Sequence, residues 1–271
     1  KWLPPDANHA CSAVDRLISP VISVLAPMVI DDESRALVQF VDLEILRSAT
    51  ILLEGRLVDA SNATLFGSIS ISVENKIAVV YKPIAGERPL WDFPEGSLAF
   101  REVAAFQISE LAGFGCVPPT VLRDGPYGTG AVQQWVDVDD SIDVISLGRS
   151  KQPEIRSLAL FDAVINNTDR KFGHVLPASI SEIYGCDHGV SFHVEDKLRT
   201  VIWQFAGEKL TLEEREQLTK LENEIPSHSS LSSLLTEDEI SALLMRIQRI
   251  LHQNHFPCPS EEWPAVPWPP V

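Results

Sequence analysis

Residues 161–192 read FDAVINNTDRKFGHVLPASISEIYGCDHGVSF, and this stretch holds two short polar clusters between apolar flanks. The first is Asn166-Asn167-Thr168-Asp169-Arg170-Lys171-Phe172-Gly173-His174, and the second is Asp187-His188-Gly189. Leu160, Phe161, Val164 and Ile165 precede them, Val175 and Leu176 lie between, and Ile183, Tyr184, Val190 and Phe192 complete the frame. Loops pinned by a rigid apolar core are where catalytic groups are often carried. The pattern suits phosphoryl transfer. In that chemistry an acidic loop residue orients an attacking hydroxyl, a second ligand on the loop binds metal, and a later Asp-x-Gly holds the metal on nucleotide phosphates. On this reading Asp169 is the base, His174 occupies the metal position five residues on, and Asp187 is the main metal ligand.

The 271 residues are enough for one large domain or two lobes with a core. Hydrophobic residues make up 45% and charged residues 22%, a globular balance. The net charge of −16 argues against nucleic acid and anionic membrane as non-specific partners. Arg170, Lys171, Lys197 and Arg199 are the candidates for a local basic patch. Cys11, Cys116, Cys186 and Cys258 form no CxxC pair, which points to a reduced, cytoplasmic protein without a zinc site or disulfide staple. No integral membrane association is expected, because the best apolar run, 17–30, is short, carries Pro20 and Pro27, and is followed by Asp31-Asp32-Glu33. The chain begins at Lys1 and not at Met, so the true N-terminus is expected upstream.

Residues 1–45 read as an accessory extension broken by prolines, with an amphipathic helix over 32–46. Strands are expected over 51–58, 65–73 and 77–81, the first two flanking a turn that includes Ser61, Asn62, Ala63 and Thr64. Amides and hydroxyls of such a turn can take phosphate oxygens, and an ordinary hairpin turn accounts for it as well. The third strand ends in Lys82-Pro83. A lysine there needs a charge partner if buried. It either meets nucleotide phosphates beside a carboxylate or simply emerges at the strand end. The loop 84–97, with Leu90, Trp91 and Phe93, reads as a lid or as packing between lobes. Ser97 is the expected N-cap of a helix to Leu111, and Glu102 in that helix is the candidate partner of Lys82.

Strands over 117–122 and 131–136 complete a five-stranded, mainly antiparallel sheet with one helix. Backbone groups around Gln134, Trp135 and Val136 are candidates for reading an adenine edge, though the residue types do not demand it. A hinge is expected over 137–150, a helix over 152–166 and a strand or hairpin arm over 180–186. The segment 192–203, with Lys197 and Arg199, is either substrate-facing or a solvated loop. Thr211 with Glu214, and Thr236 with Glu239, each read as a capping box, the second opening a helix with an apolar stripe. The resulting division is an extension (1–45), a sheet lobe (46–137), a helical lobe (138–256) and a Pro/Trp-rich tail (257–271) lying along the surface.

In this order the elements resemble the phosphatidylinositol 3-/4-kinase-like superfamily of atypical kinases. The resemblance rests on SNATL at 61–65, VYKP at 80–83, PLWDFPEGSLAFREVAAF at 89–106, VPPTVLRDGPYGTG at 117–130, NNTDRKFGHVL at 166–176 and YGCDHGVSFHVEDKLRTVIW at 184–203. The chain is similar to type II phosphatidylinositol 4-kinases and HipA-type kinases, and more narrowly to an actinobacterial phosphatidylinositol-kinase-related family. The resemblance implies an α+β, bilobal protein-kinase-like fold with ATP in the cleft. It implies Lys82 on the phosphates, Glu102 orienting it, Asp169 as the catalytic-loop acid with Arg170 beside it, and Asp187 on Mg²⁺. His174 departs from the Asn usual in those relatives, and imidazole suits Mn²⁺ better than Mg²⁺. Two readings stay open: an ATP-dependent phosphotransferase acting on a protein or small-molecule hydroxyl, and a nucleotide-binding pseudokinase serving as a regulatory module.

Overall fold

The computed structural model describes residues 40–57, 62–72 and 75–271. Ser61 and most of the N-terminal extension lie outside the described residues. The chain divides into two compact units, residues 1–99 with 121–135, and residues 100–120 with 136–271.

The first unit holds α1 (Leu43–Ser48) and a five-stranded antiparallel sheet. Its strands are β1 (Ile51–Arg56), β2 (Leu65–Ser70), β3 (Lys76–Pro83), β4 (Thr120–Gly125) and β5 (Gly128–Gln134), in the order β1-β2-β3-β5-β4. Most of the helix expected over 32–46 lies outside the described residues. Within them, α1 begins after Asp42, whose carboxylate accepts from the Glu44 N–H at 2.7 Å. The first two strands end earlier than the apolar pattern suggests. The fourth starts later because Pro118 and Pro119 offer no N–H to a ladder. One face of the sheet packs Ile51, Leu65, Ile69, Val79, Tyr81, Val121 and Val132 with Leu46 of α1. Each such side chain contributes roughly 1.5–3 kcal/mol by leaving water. Tyr81 is fully buried, and its hydroxyl donates to the Gly128 carbonyl. At Gly130 a Cβ would stand 2.4 Å from the Lys82 carbonyl oxygen, so only glycine lets β5 lie this close to the end of β3.

The second unit takes most of α2 (Leu98–Ala112), then α3 (Val144–Gly148), α4 (Pro153–Ile165), the hairpin β6 (Val175–Ser179)–β7 (Glu182–Gly185), α5 (Leu212–Glu224) and α6 (Glu237–Gln253). Helix α2 starts at Leu98, directly after Ser97 as expected, and Glu87 adds a cap that the local sequence did not show. The Ser97 hydroxyl donates to the Pro94 carbonyl at 2.7 Å, while the Glu87 carboxylate accepts from the Leu98 and Ala99 amides at 3.2 and 2.8 Å. A carboxylate on the first amides of a helix also meets the positive end of its dipole. The expected hinge contains α3. The apolar flank Val175–Leu176 is the first arm of a hairpin and pairs Val175 with Gly185 and Leu176 with Tyr184.

Both capping boxes are formed. Thr211 Oγ1 accepts from the Glu214 amide at 3.2 Å while Glu214 accepts from the Thr211 amide at 2.7 Å, and Thr236 and Glu239 repeat the pattern. Leu243, Ile247 and Ile250 form the buried stripe of α6. The tail docks on this unit: Ala265 O accepts from Thr200 N and Trp203 Nε1, and Pro270 O accepts from Phe172 N. Among the described residues no helix is long and apolar enough to cross a membrane.

Candidate active site

Helix α4 delivers the first polar cluster. It ends at Asn166, which takes the left-handed conformation (φ 55°) that Asn tolerates at a helix C-terminus. The Asn166 side chain donates to the carbonyls of His193 and Glu195 at 3.0 and 2.7 Å and accepts from the Lys197 amide at 2.9 Å. The loop holding Asp169 is therefore tied to the segment after the second cluster.

A buried ion pair fixes the rest. Asp162 and Arg170 are both 0% exposed and meet side-on, with Arg170 Nε 2.9 Å from Asp162 Oδ2 and Nη2 2.9 Å from Oδ1. Burial works against the Arg170 charge, and Asp162 beside it more than offsets this, so its pKa is raised. The guanidinium also donates from Nη1 to the carbonyls of His174 and Cys186 at 3.1 and 2.9 Å, and from Nη2 to His188 Nε2 at 2.7 Å. Arginine can only donate, so His188 Nε2 accepts and the ring proton sits on Nδ1. That nitrogen faces Glu102 Oε2 at 4.0 Å, and the same carboxylate oxygen accepts the His188 amide at 3.0 Å. Next to Glu102, Arg101 donates to the Ser191 carbonyl at 3.2 Å and pairs with Glu239 of α6. Helix α2 thus holds the second polar loop at two points, His188 and Ser191.

The outcome is a pair formed by His174 and Asp187. The Cys186 amide donates to the His174 carbonyl at 3.1 Å, which sets the side chains of His174 and Asp187 together, Nε2 to Oδ2 at 3.4 Å. Asp187 sits at φ 60°, a left-handed position Asp adopts more readily than most residues. Its side chain is 49% exposed and so open to a ligand. Asp169 has its amide on Asn167 Oδ1 at 3.0 Å and its carboxylate 3.2 Å from Lys171 Nζ. Burial pushes its pKa up, Lys171 pulls it down, and the charge of Asp187 raises it again. A carboxyl with a raised pKa is a better proton acceptor at neutral pH.

The remaining candidates stand as follows. Arg170, grouped by the sequence with the catalytic residues, has its guanidinium spent on the buried network. Glu102, read as the partner of Lys82, accepts the His188 amide through Oε2. In the first unit, Lys82 lies in β3 opposite Ala131. The Ala63 amide is committed to the Gly86 carbonyl at 3.0 Å, Asn62 Oδ1 accepts from the Arg88 amide at 2.8 Å, and Thr64 is buried. Gln134 is buried and Oε1 accepts from the Val41 amide at 2.8 Å, Trp135 stacks edge-on against Phe66, and Val136 is buried. Lys197 is not the solvated loop cation that one reading allowed: it is 3% exposed and sits 4.8 Å over the Trp263 ring. Asp162 was not singled out for a role, and Lys171, named only as a candidate for a basic patch, is paired with Asp169. An acid inside the apolar run LALFDAVI was the available signal for Asp162, because buried charges require partners. Two cavities, of about 700 Å³ beside Lys197, Arg246 and Trp263 and about 320 Å³ within the loop 84–98, are not lined by Asp169 or Asp187.

A divalent cation fits the donor set. Asp187 supplies a hard oxygen and His174 a nitrogen, and cations of this type complete their shell from water and phosphate. Among the described residues no group of three or more His, Cys, Asp and Glu is gathered tightly enough for an all-protein metal cage.

Cys116 is part of the frame and not of the chemistry. It is fully buried, its carbonyl accepts from the Gly185 amide at 2.7 Å, and burial pushes its thiol up to about 12. We expect iodoacetamide to alkylate exposed Cys258 in the native protein and to reach Cys116 only after denaturation, read by peptide mass spectrometry. Labelling of both at equal rates would show that this part of the core opens.

An α+β chain with a five-stranded antiparallel sheet, a helical unit and two acidic loops braced by one buried arginine is the class these observations define. No family model matches the chain. It is 36% identical over 262 residues to Protein Rv2133c of Mycobacterium tuberculosis, which covers 83% of this chain and 94% of that protein. The chain belongs to the family of that protein. Weaker likenesses to solved structures are to the golgi casein kinase (TM-score 0.49, 14% identity, 78% of this chain and 72% of that one) and to the Helicobacter pylori proinflammatory kinase CtkA (0.44, 12%, 78% and 94%). Hydra Fam20 with sugar follows (0.43, 16%, 78% and 86%). Nothing those proteins do is carried over to this chain on scores of this size.

Proposed function

We propose that the chain is an ATP-dependent phosphotransferase of the atypical, phosphatidylinositol 3-/4-kinase-like type, acting on a protein or small-molecule hydroxyl. The observation that supports it best is the buried brace of Arg170, which directly follows Asp169 and bonds the carbonyls of His174 and Cys186, so that the Asp187 charge reaches Asp169 and adds to the rise that burial gives its pKa. Two carboxylates whose charges interact cost free energy unless a cation or a proton is to be shared.

In this reading Asp169 accepts the proton of the acceptor hydroxyl as its oxygen bonds the terminal phosphorus of ATP and the bond to the departing ADP oxygen breaks. Lys171 stays beside Asp169 and keeps that carboxylate oriented. Asp187 and His174 are the residues that would hold a divalent cation, which when bound neutralises phosphate charge. Arg170, Asp162 and His188 keep the two loops in register, and Glu102, which accepts the His188 amide, is assigned to orient Lys82 by the sequence resemblance. Lys82 is assigned to a nucleotide phosphate, and the amides around Gln134 to Val136 to the base, on the strength of the sequence resemblance. The turn 62–64 is a weaker candidate for phosphate, since the Ala63 amide is already bonded.

The test is ATP binding and release of the terminal phosphate with Mg²⁺ and, separately, with Mn²⁺. Turnover is expected with both metals and to be faster with Mn²⁺, because an imidazole nitrogen stands where an oxygen ligand suits Mg²⁺. Absence of metal-dependent ATP binding with either ion would sink the proposal.

A further inference from the structure

Arg199 stands out among the cations near the acidic loops. Its backbone brackets Asp169: the Arg199 amide donates to the Asn167 carbonyl at 2.9 Å, and its carbonyl accepts the Arg170 amide at 3.1 Å. The next residues are pinned on both sides, Val201 N to Arg170 O at 3.1 Å and Thr200 N to Ala265 O of the tail at 3.0 Å. The segment is therefore held in register with the loop it faces. Lys171 is paired with Asp169. Among the described residues the Arg199 guanidinium joins no carboxylate at ion-pair distance, though its charge lies near enough to Asp169 to lower that carboxyl's pKa, and its Nε is buried without a hydrogen-bond partner. Burying a donor without a partner is costly, so such atoms call for an explanation. A half-buried guanidinium, held by its own backbone near a carboxylate proposed to react but bonded directly to no anion, is suited to take one.

We propose that Arg199 is the oxyanion-binding residue of this site and takes a phosphate group. This rests on the reading of Asp169 as the reacting residue. The planar fork of Nε–H and a terminal N–H matches two oxygens of one phosphate, a fit a lysine ammonium cannot copy. The phosphate comes either from the end of the nucleotide or from an acceptor that already carries one. Both sources present the same chemistry to Arg199, and they are separable by experiment.

The experiment titrates wild type, Arg199→Gln and Arg199→Lys with inorganic phosphate alone, with ATP plus Mn²⁺, with ADP plus Mn²⁺, and with inorganic phosphate on the ADP-loaded protein. Arg199→Gln is expected to weaken at least one phosphate interaction by about ten- to a hundredfold, the effect of losing hydrogen bonds to a charged group. Weaker ATP with unchanged ADP assigns the terminal phosphate. Unchanged ATP with weaker inorganic phosphate on the ADP-loaded protein assigns a phosphate-bearing acceptor. Equal affinities across all titrations in folded variants overturn the proposal. Should Arg199→Gln fail to fold, Arg199→Lys, which keeps the charge and the backbone bonds, must still show weaker phosphate binding. The arm with phosphate alone needs no nucleotide. Arg199-dependent phosphate binding in a protein that ignores ATP would keep this subsite and discard the phosphotransferase reading.

Discussion

Asp169→Asn is expected to lower turnover about 10²–10⁴-fold, the range for loss of a positioned general base, while leaving the protein as stable as wild type or slightly more so. The two halves of this result have one cause. Burial and the nearby Asp187 hold the Asp169 pKa above its usual value, with Lys171 opposing. A carboxyl with a raised folded-state pKa favours folding of its protonated form. That contribution is present below the unfolded pKa and is lost as pH rises through the folded pKa. At neutral pH the ionised group is therefore a burden, and a neutral amide relieves it while keeping the backbone bond to Asn167. The measurements are thermal unfolding at neutral and acid pH and metal-dependent ATP turnover. The Tm gain should shrink as pH falls toward the ordinary carboxylate range. A large loss of Tm at neutral pH would mean that Asp169 is structural. Asp187→Asn should depress turnover by about 10²–10³-fold, as for other losses of an electrostatic stabiliser, and should also raise the metal concentration needed for ATP binding.

Arg170→Met is expected to cost about 3–5 kcal/mol of stability, the penalty for removing one partner of a buried ion pair. The reason lies in what remains. Asp162, 0% exposed, would keep a charge with only the Asn167 amide, 2.9 Å away, as its side-chain donor. The carbonyls of His174 and Cys186 and the ring of His188 would lose their shared donor as well. Marginal stability of roughly 5–15 kcal/mol leaves little room for such a loss. Urea unfolding measures it directly. Adding Asp162→Asn to Arg170→Met should recover part of the loss, because the uncompensated charge goes with it, and the non-additivity reports the coupling. A loss below about 1 kcal/mol in the single variant would show that the brace is not what holds these loops.

Elements governed by near neighbours were legible in the sequence. The alternation over 65–73 marked β2, the Thr-x-x-Glu pairs marked the starts of α5 and α6, and the polar runs 166–174 and 187–189 marked the acidic loops. These signals act over about four residues, the reach of a helical turn or a strand pleat. Where another local signal competed, the expectation shifted: prolines moved the start of β4, and Val175–Leu176 passed for a flank because a two-stranded arm is too short to show a period.

The partners of buried charges were decided by tertiary structure alone. Arg170 was marked as part of a loop. Nothing near it shows that its guanidinium spans Asp162, His174, Cys186 and His188, contacts up to 18 positions away. Glu87 takes the first amides of α2 from 12 positions upstream, where Ser97 was the local choice. Glu102 finds the His188 amide across 86 positions. The residue types announce only that a charge inside an apolar run must be satisfied. Which group satisfies it depends on which surfaces the core brings together, and a buried carboxylate takes whichever donors folding places within 3 Å or so.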